Sequence, residues 1–259
     1  MVLLHFVDLD PDLAALRPLG PFFVLRTPPG SPGEPAAALP TLARAYRETP
    51  GSAAPDLHGD PLAFRVRKVT RALRAPEDRI GASVAQQGLA ARLWSVTLGC
   101  AVLYGSVPDL APGLLCWDPD AAAPDDLWLT EVRARPGDAA TVAATVLDGH
   151  LEPLSAALRA RHPVAPGLLR GNSGSALAGA AGRLDLWART HGRPDVAARA
   201  RALTVELFTH PLLADTGTLT GTAFRRRSCC LYYRVPGGGV CGDCCFTRPP
   251  RSSPRAPSG

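Results

Sequence analysis

Apolar residues recur at three- and four-residue spacing through most of the chain, which predicts a protein built largely of helices. In "PLAFRVRKVTRALR" the residues Leu62, Val66, Val69 and Leu73 fall on one helical stripe, and "PTLARAYRET" ahead of it has the same spacing. Ile80 to Tyr104 predicts one long helix or two, with Gly88 and Gly99 as points of breakage or close packing. Helical spacing returns from about Thr141 to Ala160 and again from about Pro166 to Ala188. Pro194 suits the first turn of a last helix reaching Phe208, where its missing N–H leaves no bond unmade. Two short runs, Leu114 to Trp117 and Leu127 to Val132, are apolar and aromatic and predict a strand pair joined by "DPDAAAPDD". "HPLLADTGTLTGT" closes the helical region. The predicted fold is mainly α with a small β element, an α+β architecture ending in a cysteine-rich segment.

Composition divides the chain further. "RTPPGSPGEPAAALP" (Arg26 to Pro40) is a Pro/Gly-rich connector, and "RPPRSSPRAPSG" is too rich in Pro, Ser and Arg to pack. The expected organisation is an N-terminal segment with its connector over 1–60, a mainly helical domain over 61–224, a cysteine-rich segment over 225–247 and a disordered tail over 248–259. No internal repeat is present.

The net charge of +5 rests almost wholly on arginine, since Lys68 is the sole lysine. No dense basic helix or interleaved aromatic run accompanies it, so nucleic-acid binding is not expected. "MVLLHFVDLDPDL" lacks a cationic start, and Asp8 and Asp10 cut its apolar run short, unlike a secretory signal. The longest uncharged run, Leu93 to Pro108, has sixteen residues, short of the roughly 20 that span a bilayer. It predicts a buried helix and no transmembrane segment. The expected location is a reducing cytoplasm, where stable disulfides are uncommon.

The chemistry gathers near the C-terminal end. Five of the seven cysteines lie within the seventeen residues from Cys229 to Cys245, in "SCCLYYRVPGGGVCGDCCF". The Cα atoms of adjacent residues lie about 3.8 Å apart, below the roughly 4.4–6.8 Å that a relaxed disulfide prefers. Cys229 and Cys230 are therefore poor partners for each other. Thiolates favour zinc or iron–sulfur clusters. Gly242 permits the tight turn of the Cys241–Cys244 knuckle, and "PGGG" lets the chain reverse and return it to the vicinal pair. The spacing C-C-x10-C-x2-C matches neither the usual zinc pairs nor the usual ferredoxin runs. It leaves a four-thiolate site for a soft metal, with zinc and a [2Fe–2S] cluster both open. Arg225, Arg226, Arg227, Arg234 and Arg248 surround it in sequence, and nearby cations favour a reduced, more negative cluster.

Elsewhere the signals are weak. His5, His58, His150, His162, His191 and His210 are scattered outside any ligand or triad motif. Asp118, Asp120, Asp125 and Asp126 miss the EF-hand register and read as a solvated loop. "GLLRGNSGSALAG" is no P-loop, and its small residues predict close helix packing. No dinucleotide fingerprint is present, so electrons are expected from a separate protein.

"RRRSCCLYYRVPGGGVCGDC" resembles the C-terminal signature of the FhuF-type ferric siderophore reductases in its vicinal cysteines, ten-residue gap, flanking arginines, Tyr233-Arg234 step and "CGDC" ending. "GLAARLWSVTLGCAVLYG" and "LLRGNSGSALAGA" are similar to that family's helical region. The resemblance implies a [2Fe–2S] cluster on Cys229, Cys230, Cys241 and Cys244, and one-electron reduction of a ferric siderophore, with a hydroxamate as the expected type. It further implies an external donor such as a ferredoxin or an NAD(P)H-dependent reductase. A non-enzymatic module with structural zinc and a [2Fe–2S] carrier or sensor without siderophore are the alternatives. Cys245, directly after the knuckle, departs from the family pattern and could compete as a ligand. Cys100 and Cys116 read as buried core thiols.

Overall fold

The computed structural model describes residues 8–27, 38–47, 59–121 and 127–250. Most of the Pro/Gly connector, residues 251–259 of the tail, Asp125, Asp126, His5 and His58 lie outside the described residues, as do positions 1–7.

The architecture is mainly α with three small antiparallel strand pairs. Its axis is α3 (Asp78–Leu103), one unbroken helix whose last seven residues are all buried. Such a helix, apolar on every side, needs covering on every side. α6 (Pro166–Thr190) supplies the most extensive cover, with α7 (Pro194–Leu207) packed behind it and α2 (Pro61–Ala72) on another flank. Of the predicted stripe on α2, Leu62 and Val66 are buried while Val69 and Leu73 are half-buried. Gly99 is a close-packing point: a Cβ there would come within 2.9 Å of Leu16 and Phe23 side-chain carbons. Gly88 is not, since a Cβ would meet nothing within 4 Å. Gly81, unmarked by sequence, is where α2 crosses, with the Val66 carbonyl 2.9 Å from the Cβ position.

The N-terminal segment closes the other side of α3. Short 3-10 turns over Ala14–Leu19 and Pro21–Phe23 bury Leu16, Leu19 and Phe23 against it. Arg92 of α3 is 1 % exposed and donates to the carbonyls of Pro21, Phe22 and Val24, so a buried guanidinium pins this segment in place. The Tyr104 hydroxyl donates to Asp10 at 2.6 Å and accepts from the Ala15 amide.

The helical spacing over Thr141 to Ala160 resolves into α4 (Ala139–Ala143), a wider π-type stretch (Ala144–Leu151) and α5 (Glu152–Arg161). Pro153 lies in the first turn of α5. It has no N–H for the preceding turn and its ring would crowd the carbonyl four residues back, which accounts for the widening. The predicted strand pair is present as β2 (Leu115–Trp117) and β3 (Leu127–Leu129), with Leu115 opposite Leu129. Two further pairs were not legible: β1 (Ser106–Pro108) with β4 (Ala134–Pro136), and β5 (Gly217–Thr220) with β6 (Ala223–Arg226). No helix among the described residues is long and apolar enough to cross a membrane.

Candidate metal centre

The β5–β6 hairpin is the platform of the cysteine segment, and α6 is where it sits. A Cβ on Gly174 would lie 2.5 Å from Thr216 Oγ1, and one on Gly171 would lie 2.1 Å from Ser228 Oγ. Three residues apart on one helical face, these two glycines let the hairpin and the start of the cysteine segment approach the helix axis. Phe224 is anchored by a ring contact with Phe208 at 5.3 Å. Strand alternation then sorts the arginine triplet: Phe224 and Arg226 point inward, Arg225 and Arg227 outward.

Arg226 is 2 % exposed. Its Nη2 donates to Asn172 Oδ1 on α6, whose Nδ2 donates to Ser83 of α3 at the carbonyl (2.9 Å) and at Oγ (3.2 Å). Ser83 Oγ in turn donates to the Cys230 carbonyl at 2.8 Å. A buried polar relay thus runs from the hairpin through two helices to the vicinal cysteines. The Arg226 amide also donates to the Asp243 carbonyl at 2.9 Å, clipping the knuckle to β6. Nε and Nη1 of Arg226, Ser228 Oγ and Asp243 Oδ2 are buried without a hydrogen-bond partner.

From Cys230 the chain turns at Leu231, a non-glycine residue at φ 69°, into a short 3-10 turn, Tyr232–Arg234. Gly237 takes φ 72°, and Gly238 leaves no room for a Cβ against the Tyr232 carbonyl 2.5 Å away. The knuckle closes with the Cys244 amide donating to the Cys241 carbonyl at 3.1 Å. The two halves meet sulfur to sulfur, with Cys230 Sγ 3.6 Å from Cys241 Sγ. Backbone amides of Leu231 and Phe246 donate to the sulfurs of Cys229 (3.2 Å) and Cys244 (3.4 Å). Cys230 is buried and the other four thiols are half-buried.

The thiols feel one another. Burial, reinforced by Cys230, Cys245 and Cys244, pushes the Cys229 thiol up to about 11 against the opposing Leu231 amide. Burial, then Cys230 and Asp243, raises Cys241. Burial and Cys244 raise Cys245, with Arg226 pulling it back. Without a positive centre these groups are therefore held as thiols, and a metal centre would displace their protons. Among the described residues no three His, Cys, Asp or Glu side chains close around a single ion. The donor set is nonetheless all sulfur, the softest the chain offers, and it suits zinc or iron–sulfur centres.

Residues 226–246 match the family model for the FhuF 2Fe-2S C-terminal domain. This segment is an FhuF-type 2Fe-2S domain. Its cofactor is a [2Fe–2S] cluster, which decides between the two centres that spacing leaves open. The matched stretch of the FhuF domain opens on the inward-facing Arg226 and contains all five clustered thiols. No curated protein matches the chain.

The FhuF domain has three buried supports that sequence alone did not reveal: Ser83, Asn172 and Arg226. Asn172 carried the one available signal, an amide inside a helical run of small residues. Of the flanking arginines, Arg225 reaches the Cys245 carbonyl at 3.5 Å, Arg227 pairs with Asp215 at 2.9 Å and Arg234 pairs with Glu77 at 2.9 Å. Cys100 and Cys116 lie away from the domain in the core, each with its thiol pushed upward by burial.

Proposed function

We propose that the protein is a ferric siderophore reductase in which Cys229, Cys230, Cys241 and Cys244 hold the [2Fe–2S] cluster. The observation that carries this reading is the FhuF domain match over the stretch that contains the five clustered cysteines, two of which meet sulfur to sulfur. When bound, the cluster supplies electrons one at a time. Siderophore-bound Fe3+ accepts one electron and becomes Fe2+, for which hard hydroxamate oxygens are much weaker ligands, so the iron passes to other ligands. No proton need move for this, so the transfer requires no general acid or base. The chain's own residues do the holding. Arg226, Asn172 and Ser83 fix the vicinal pair to the helices, the β6 clip fixes the knuckle, and the buried guanidinium presents positive charge where negative charge accumulates. A ferredoxin or an NAD(P)H-dependent reductase is the donor we infer, and the cytoplasm the location.

The test is anaerobic. Cluster-loaded, chemically reduced protein mixed with a ferric hydroxamate siderophore is expected to reoxidise at a rate set by siderophore concentration, while an Fe2+ chelator captures the released iron. Cys241→Ser protein should do neither, and NADH or NADPH alone should not drive the reaction. Reduced protein that stays reduced beside ferric siderophores of several classes would overturn the reading in favour of an electron carrier.

A further inference from the structure

Three buried donors of the FhuF domain have no hydrogen-bond partner among the described residues: Nε and Nη1 of Arg226, and Ser228 Oγ. Both residues lie within three positions of Cys229. Leaving a buried donor unmade is costly, and more so on a charged group. Three of them together point to an acceptor that the protein chain does not itself supply. We infer that Arg226, through its unpaired guanidinium N–H groups, and Ser228, through its hydroxyl, donate hydrogen bonds to the sulfurs of the bound [2Fe–2S] cluster, and that Arg226 thereby sets its reduction potential. The inference rests on the cluster and is independent of which molecule receives the electron.

Position brings the donors to the thiols. A Cβ on Gly171 would lie 2.1 Å from Ser228 Oγ and 3.3 Å from Arg226 Nη2, so the two side chains end over the same point of α6. Arg226 is tied to both halves of the cysteine segment. Its amide holds the knuckle at the Asp243 carbonyl, and its Nη2 reaches the Cys230 carbonyl through Asn172 and Ser83. Its charge is felt there as well, for it draws the Cys245 thiol down against burial. Asn172 occupies Nη2 alone, which fixes the planar guanidinium and leaves its other nitrogens to donate elsewhere.

Acceptors short of donors are close by. Backbone amides reach the sulfurs of Cys229 and Cys244. Among the described residues no N–H reaches the sulfur of Cys230 or Cys241. The bound cluster brings sulfide bridges that also accept, and hydrogen bonds to its sulfurs help to set its potential.

The other arginines are placed differently. Arg227 pairs with Asp215 and is 64 % exposed, Arg234 pairs with Glu77 and is 37 % exposed, and Arg225 and Arg248 are exposed. Water and salt screen such charges. Five arginines surround the cysteines in sequence, and the structure selects the buried one. Reduction adds negative charge, which a buried cation and its N–H groups stabilise, so Arg226 raises the potential.

Pulsed EPR on reduced, cluster-loaded protein carrying 15N only in its arginine guanidinium groups reads the contact directly. A 15N coupling should be present in the unaltered protein and in Arg227→Gln, and absent from Arg226→Lys. The lysine keeps the buried charge and a donor for Asn172, so it separates the guanidinium contact from the holding of the fold. In a redox titration, Arg226→Met should lower the equilibrium constant for cluster reduction at least tenfold, about 59 mV for one electron. Ser228→Ala, which removes one uncharged donor, should lower it about threefold. Arg227→Gln should change it by less than about twofold.

No 15N coupling in the unaltered protein, which needs no substitution to measure, would mean that water satisfies these donors and would overturn the inference. So would a coupling that survives in Arg226→Lys, or an intact cluster of unchanged potential in Arg226→Met. Unaltered protein that shows the coupling but is never reoxidised by a ferric siderophore leaves this inference standing while the reductase reading falls.

Discussion

Asn172→Leu is the sharpest probe of how the fold supports the FhuF domain. The two side chains branch alike at Cγ, so a somewhat larger apolar group refills the fully buried position while both polar ends are lost. Among the described residues, Asn172 Oδ1 is the one side-chain acceptor of a guanidinium that is 2 % exposed. A hydrogen bond to a charged group is worth about 1.5–3 kcal/mol, and the two lost contacts with Ser83 add about 1 kcal/mol each. The sum, about 3–5 kcal/mol, agrees with the penalty of about 3–5 kcal/mol for stranding a buried charge. At about 2–4 °C per kcal/mol for a chain of this size, Tm should fall by roughly 6–20 °C. Circular dichroism melts of anaerobically prepared protein measure this directly. The control is the double variant Asn172→Leu with Arg226→Met, which removes the stranded charge and should recover most of the loss. A single variant that loses under about 1 kcal/mol, or a double variant no more stable than the single, would refute the idea that this relay holds the domain to the helices.

Two further outcomes are expected. Serine at Cys229, Cys230, Cys241 or Cys244 should abolish or severely alter the cluster's absorption spectrum, whereas Cys100→Ser and Cys116→Ser should leave it intact; loss in Cys245→Ser but not in Cys244→Ser would move the fourth ligand by one residue. Fully buried His150 donates from Nε2 to the Leu110 carbonyl, which leaves Nδ1 bare to accept the Tyr46 hydroxyl at 2.9 Å, and burial draws its pKa down to about 4. The unfolded chain therefore takes up this proton first, so about 3 kcal/mol of stability present above about pH 6.5 is lost as pH falls toward 4. Melts of the unaltered protein and of His150→Gln, which keeps a donor and an acceptor, test this; equal pH slopes between pH 7 and 4 would contradict it.

Much of this was written in the sequence, for identifiable reasons. Helices α2, α3, α6 and α7 were legible because each repeats its period over three or more turns, and β2 and β3 because Trp117 and Trp128 mark them in short apolar runs. The cysteine spacing was legible because vicinal thiols before a C-x-x-C turn are rare. Strand β6 was hidden, since four residues establish no alternation, and that single omission concealed Arg226. Three consecutive arginines are equivalent on the page. Once they lie on a strand, the middle one must face opposite to its neighbours, and here that means inward.

The thiols follow their seat in chain order. Ser83 and Asn172 belong to helices made well before the cysteines, and the Ser83 bond to the Cys230 carbonyl spans 147 positions. A chain synthesised at about 5–20 residues per second delivers α3 and α6 several seconds ahead of the ligands they receive. The cysteines can thus emerge onto a surface that already exists, rather than wait as loose thiols exposed to oxidation for a fold to form around them. Loading of the cluster then comes after its scaffold in the order of synthesis.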